Sequence, residues 1–89
     1  MSEREIEIVN RLGLHARAAA KLVHLANRFG CDVKLVRDGE ETDAKSILGI
    51  LMLAAGQGTQ LVLRCDGKDE ETALEEISDL VSQRFGEES

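Results

Sequence analysis

The chain has 89 residues, enough for one hydrophobic core and too few for a second. Its formal net charge of −6 argues against nucleic-acid binding, which relies on clustered Lys and Arg displacing counterions, and points to basic partner surfaces instead. No run approaches the roughly 20 apolar residues of a membrane span, and the charged start Met1–Glu7 lacks the basic and apolar regions of a secretory signal, so a cytoplasmic location without membrane insertion is expected.

Ile6 and Ile8 alternate with Glu5 and Glu7, the period of a half-buried strand, which predicts a first strand over residues 3–9. Gly13, Leu14, His15, Ala16 and Arg17 then lead into an alanine run. Apolar Ala19, Leu22, Val23, Ala26 and Phe29 recur at three- and four-residue steps, which predicts an amphipathic helix from Ala16 to Phe29, stopped by Gly30. An imidazole and a fixed cation therefore stand where a helix begins. The first turn of a helix has unpaired N–H groups and the positive end of the macrodipole, and it attracts phosphate. Neutral histidine there presents a lone pair that can attack a phosphoryl group, and Arg17 offers a planar fork of donors matched to its oxygens. Gly13 permits a close backbone approach just before the site. His24, more than two turns further on, is too far to act with His15 and is expected to face solvent.

Val33 and Leu35 alternate with polar residues in a second strand, and Asp38-Gly39 is suited to a two-residue hairpin turn. The partner strand, about residues 40–43, has no large apolar side chain and suits a sheet edge. Ser46 is a good N-cap for a short helix over residues 47–53. In that helix Ile47, Leu48, Leu51 and Met52 are too many large aliphatics all to point inward, so part of this ridge is expected to be exposed as a docking surface. Gly56-Gln57-Gly58 turns the chain into a last strand, Gln60 to Cys65, with Leu61, Leu63 and Cys65 on the core face. Asp66-Gly67 ends it. A final helix follows Asp69-Glu70-Glu71-Thr72, with an apolar stripe of Ala73, Leu74, Ile77, Leu80, Val81 and Phe85. The tail Gly86–Ser89 is expected to fray.

Cys31 and Cys65 are too few and too separated for a zinc pattern; both are expected as reduced thiols, Cys65 in the core and Cys31 nearer the surface. No metal or cofactor is expected. Phe29 and Phe85 are the only aromatic residues, which leaves an aliphatic core and no stacking platform for RNA. The order strand, helix, strand, strand, helix, strand, helix, with strands apolar on one face, predicts a single two-layer α+β domain over residues 1–89. A monomer is expected. The competing reading is a non-catalytic acidic binding or scaffolding module, in which His15 would be inert.

The stretch Asn10-Arg11-Leu12-Gly13-Leu14-His15-Ala16-Arg17, with Ala19 and Ala20 behind it, resembles the active-site signature of HPr, the histidine-containing phosphocarrier family of the bacterial phosphotransferase system. A second stretch, Asp43 to Leu53, is similar to the family's regulatory-serine segment and the short helix after it. The resemblance spans residues 3–85. It implies an open-faced sandwich, a four-stranded antiparallel sheet covered on one side by three helices. It also implies that His15 takes a phosphoryl group on Nδ1 from phosphorylated enzyme I and hands it to an enzyme IIA domain, with Arg17 and the N–H groups of Ala16 and Arg17 holding the phosphate. The protein would then be a covalent carrier rather than a stand-alone enzyme. Ser46 would be the target of an ATP-dependent HPr kinase. Ile47, Leu48 and Leu51, with Met52 beside them, would dock enzyme I and the acceptor in turn.

The chain departs from the family pattern in two places. Ala18 replaces the proline that normally follows the arginine, which is expected to preserve the helix and add one N–H. Leu12 stands where sugar-type carriers of the family often have a small polar residue, and Leu51-Met52-Leu53 with the Arg84-Phe85-Gly86-Glu87-Glu88 tail is more similar to NPr, the nitrogen-branch paralogue, so a regulatory phosphorelay stands level with sugar uptake.

Overall fold

A computed structural model describes residues 1–89. Its elements are β1 (Ser2–Glu7), α1 (Ala16–Ala26), β2 (Asp32–Arg37), β3 (Glu40–Asp43), α2 (Ile47–Met52), β4 (Gln60–Asp66) and α3 (Glu70–Ser82), followed by a 3₁₀ turn at Arg84–Gly86. The four strands form one antiparallel sheet in the order β1-β4-β2-β3. The last strand thus sits inside the sheet, paired on both sides, and β3, without large apolar residues, lies at an edge as expected.

Period-two alternation determines which face is covered. Ile6, Val33, Leu35, Leu61, Leu63 and Cys65 are buried, in register as Ile6 with Leu61, Leu35 with Leu63 and Val33 with Cys65. Ala18, Ala19, Leu22 and Ala26 of α1 and Ala73, Leu74, Ile77 and Val81 of α3 complete the same core. The alternate strand residues form the open face, where Arg64 of β4 pairs with Glu3 of β1 and Glu41 of β3. Asp38 and Gly39 have φ of 51° and 82°, the left-handed pair that a two-residue hairpin needs.

The chain differs from expectation at several points. β1 stops at Glu7, although Ile8 still exchanges backbone hydrogen bonds with Gly58 and Thr59. Helix α1 ends at Ala26 and not at Phe29: Arg28 and Phe29 donate to the carbonyls of Leu25 and Ala26, a tightened last turn, and the Asn27 side chain donates to Val23 O. Gly30 keeps a negative φ and is not a left-handed cap. Cys31 is 2% exposed rather than near the surface. The Asp69 carboxylate accepts from the N–H groups of Gly30 and Cys31 at 2.8 and 2.9 Å, drawing that corner against Gly67. A Cβ on Gly67 would lie 2.7 Å from Cys31 Cβ, so only glycine fits. Helix α2 ends at Met52, and its inward residue is Ile50, fully buried, while the four residues singled out from the sequence all remain exposed.

The tail does not fray at its start. Arg84, Phe85 and Gly86 take φ of 59°, 55° and 80°, a left-handed turn that two non-glycine residues adopt at a cost of about 1–3 kcal/mol each. It is held because the Phe85 ring is buried and Lys21 Nζ donates to the Phe85 carbonyl at 2.6 Å. Glu87 follows this turn directly.

Candidate functional site

The loop from β1 to α1 is built around Asn10 and Gly13. Gly13 has φ of 68°, and a Cβ there would meet Ala55 O at 2.5 Å, so the loop passes directly over the segment after α2. Gly13 N–H donates to Asn10 O, the Asn10 side-chain amide donates back to Gly13 O at 2.8 Å, and Leu14 N–H donates to Ala55 O. Leu14, 5% exposed, anchors the loop in the core and leaves His15 at the helix entrance.

His15 is the N-cap of α1, with extended φ and ψ. Its carbonyl accepts the first helical bond, from Ala19 N–H at 2.8 Å, and its Nδ1 accepts from Arg17 N–H at 3.3 Å. No carbonyl accepts from the N–H groups of Ala16 or Arg17, as the geometry of a helix start requires. The ring is neither entombed nor turned away from Arg17; its side chain is 27% exposed. The Arg17 guanidinium is exposed and forms no ion pair or hydrogen bond within the chain, leaving its full fork free for an anion. Ala18 starts no irregularity in the helix, but it is fully buried, so the extra N–H gained over proline is not open to solvent.

On its other side the ring meets Glu87, a residue of the tail. His15 Nε2 lies 2.5 Å from Glu87 Oε2, and Glu87 Oε1 accepts from Asn10 Nδ2 at 3.0 Å. The His15 hydrogen bond first, then that of Asn10 and the charge of Lys21, hold the Glu87 carboxyl below the usual carboxylate range. The partners determine the ring tautomer: Nε2 faces an acceptor and carries the hydrogen, and Nδ1 faces a donor and keeps its lone pair. A pocket opens over this ring, lined by Arg11, Leu12, Ala16, Arg17 and Glu87. Two arginines, the start of α1 and the His15 ring therefore line one pocket, together with the Glu87 carboxylate. Arg11 and Glu87 join the site through the fold, and no local pattern in the sequence marks either of them.

A family model described as the PTS HPr component phosphorylation site matches residues 2–83. The chain belongs to the HPr family. It is 51% identical over 87 residues to the phosphocarrier protein HPr of Cupriavidus necator, covering 98% of each chain. It is 44% identical over 87 residues to the phosphocarrier protein NPr of Shewanella violacea, covering 98% of this chain and 96% of that one. Among solved structures, HPr-C-His from Thermoanaerobacter tengcongensis superimposes with a TM-score of 0.96 at 43% identity, with full coverage of both chains. HPr from Bacillus anthracis gives 0.86 at 39% identity, covering 90% of this chain and 95% of that one. The function is accordingly that of a phosphocarrier of the phosphotransferase system.

The second landmark of the HPr family resemblance lies on α2, which packs beside α1. Ser46 is its N-cap, and Ser46 Oγ accepts from Gly49 N–H at 3.2 Å. Ile47, Leu48, Leu51 and Met52 are exposed, Leu48 and Met52 by 66% and 76%, and Leu12, at 65%, adds another large apolar side chain at the pocket rim. His24 is exposed and away from the site. No group of His, Cys, Asp and Glu side chains gathers into a metal-binding set, and no helix is long and apolar enough to cross a membrane.

Proposed function

We propose that His15 is the phosphoryl-carrying residue of this chain, that it accepts the group on Nδ1 from phosphorylated enzyme I, and that it passes the group to an enzyme IIA domain. The observation that carries this reading is the placement of Nδ1: a lone pair at the N-terminus of α1, held in place by Arg17 N–H, with Ala16 and the unpaired Arg17 guanidinium lining the same pocket. Phosphoryl transfer asks mainly for alignment and charge compensation. A helix start and one arginine supply both, and the partner brings the rest.

In this reading the chain works as a single cytoplasmic domain and a monomer, a carrier rather than an enzyme in its own right. The exposed ridge of Ile47, Leu48, Leu51 and Met52 docks the donor and the acceptor in turn, since one face cannot hold both. Ser46 is the site of regulatory phosphorylation by an HPr kinase. A phosphate there sits at a helix start that tolerates it, inside a docking face where added negative charge disturbs binding. Likeness to both HPr and NPr chains supports a phosphorelay as much as sugar uptake.

Incubation with enzyme I and phosphoenolpyruvate should give an acid-labile, alkali-stable phosphate, and His15→Ala should abolish it. Labelling that survives in His15→Ala would remove His15 from this role.

A further inference from the structure

The remaining feature with chemical content is the contact between His15 and the C-terminal segment. It is not a loose tail touching a ring. Glu87 is delivered by the left-handed turn at Arg84, Phe85 and Gly86, which the buried Phe85 ring and Lys21 hold in place. Its two oxygens are used separately, one on His15 Nε2 and one on Asn10 Nδ2, and its side chain is only 17% exposed. Asn10 is fully buried and braced by its second bond, to Gly13 O. The carboxylate is therefore clamped from behind before it meets the ring.

We infer that Glu87, held by Asn10, is a positioning residue that keeps a hydrogen on His15 Nε2 throughout the carrier cycle, and so both aims Nδ1 and keeps the bound phosphoryl group transferable. This rests on His15 being the carrier residue.

When the Nδ1 lone pair forms the N–P bond, the bond from phosphorus to the donor breaks and its electron pair leaves with the donor. The ring, with hydrogen on Nε2, becomes a cation. The Glu87 carboxylate faces that new charge at hydrogen-bond distance, while Arg17 and the α1 N-terminus face the phosphoryl oxygens. On donation the N–P pair returns to Nδ1 and a neutral imidazole departs. Without the Nε2 hydrogen the departing group would be an imidazolate, a far poorer leaving group. No proton is gained or lost in either direction. The charged groups around the ring are Arg17 from α1, Arg11 from the preceding loop and Glu87 from the tail, with Lys21 of α1 close to Glu87.

The test compares the wild-type chain with Glu87→Ala and Glu87→Gln. Glutamine matches the size of glutamate but offers one acceptor oxygen to two donors, and it lacks the charge. In ¹⁵N-labelled wild type, the ring Nε2 proton should be visible and protected from solvent exchange, and both variants should lose that protection. With enzyme I and phosphoenolpyruvate, wild type should be labelled on His15. Donation of the phosphoryl group to an enzyme IIA should be about tenfold slower in Glu87→Ala, the scale of one charge-assisted hydrogen bond near the surface. Donation should also begin to decline at a lower pH than in wild type. A residue that merely tethers the tail would lower thermal stability and leave proton exchange and the pH profile of transfer unmoved, which would overturn the inference. A wild-type chain labelled on His15 whose Nε2 proton exchanges freely would also overturn it. Absence of label on His15 in wild type would instead bring down the carrier role on which the inference rests.

Discussion

Gly13 runs so close to Ala55 that a methyl group on it would lie 2.5 Å from the Ala55 carbonyl oxygen, the atom that also accepts from Leu14 N–H. This crossing ties the loop that carries His15 to the segment following α2. Gly13→Ala must therefore strain a left-handed backbone and push the two segments apart. A loss of about 2 kcal/mol or more in denaturant-unfolding free energy is expected. Phosphoryl acceptance should fall as well, because the loop that seats His15 moves with residue 13.

Arg17 is the opposite case, exposed and unpaired within the chain. Arg17→Ala should change stability by no more than about 0.5 kcal/mol. It should slow phosphoryl acceptance by roughly 10²-fold, the usual effect of removing one donor that stabilises transition-state charge. Arg17→Lys should recover part of the rate, since it restores charge without the planar fork. Rapid-quench transfer from phosphorylated enzyme I measures all three chains.

At Ser46 the cap can be separated from the proposed docking role of the exposed α2 ridge. Ser46→Ala loses the hydrogen bond to Gly49 N–H and should cost about 1 kcal/mol in thermal unfolding. Ser46→Asp retains a capping oxygen and should keep most of that stability while weakening binding of enzyme I, because its charge stands beside Ile47 and Leu48. Leu48→Ser should weaken the same binding without any change in the cap. Titration calorimetry with enzyme I reads both effects.

Glu70 provides the pH test. The Ser2 hydroxyl first, then Gly67 N–H and the chain's amino group, hold its carboxyl down at about 2, against an ordinary value of 4.5. A folded-state value below the unfolded one means that the carboxylate stabilises the fold above pH 4.5, and that this is lost as pH falls toward about 2. The melting temperature of Glu70→Gln should therefore lie below wild type near neutrality and converge on it between those limits. Parallel curves down to pH 2 would show that Glu70 has no such linkage.

Burial first, with the neighbouring Asp69 carboxylate adding to it, pushes the Cys31 thiol up to about 12. Burial also raises Cys65. In the native protein at pH 8, neither thiol should react with a disulfide reagent faster than the chain opens. Asp69→Ala removes the acceptor for the Gly30 and Cys31 N–H groups and should accelerate Cys31 labelling in particular.

Much of the molecule could be read from residues a few positions apart. The alternation of Ile6 and Ile8 and of Leu61, Leu63 and Cys65, the Asp38-Gly39 turn, the Ser46 cap and the His15–Arg17 pair at a helix start are all signals whose physical cause lies within one turn or one strand. Each reappears in place in the fold because local backbone geometry and the burial of one face suffice to produce it.

Other features required the chain to return on itself. Only the folded chain seats β4 between β1 and β2, and only there does the Asp69 carboxylate reach back to bury Cys31. The choice of Ile50 over its equally apolar neighbours for the core depends on how α2 lies against the rest, and no pattern within six residues shows it. The contact of Glu87 with His15 joins residues 72 positions apart, and it exists because buried Phe85 and Asn10 hold the tail where α1 begins. Sequence alone thus determined that an imidazole and an arginine stand at the start of a helix. Tertiary packing decided which nitrogen keeps the lone pair, since that depends on a carboxylate brought from the far end of the chain.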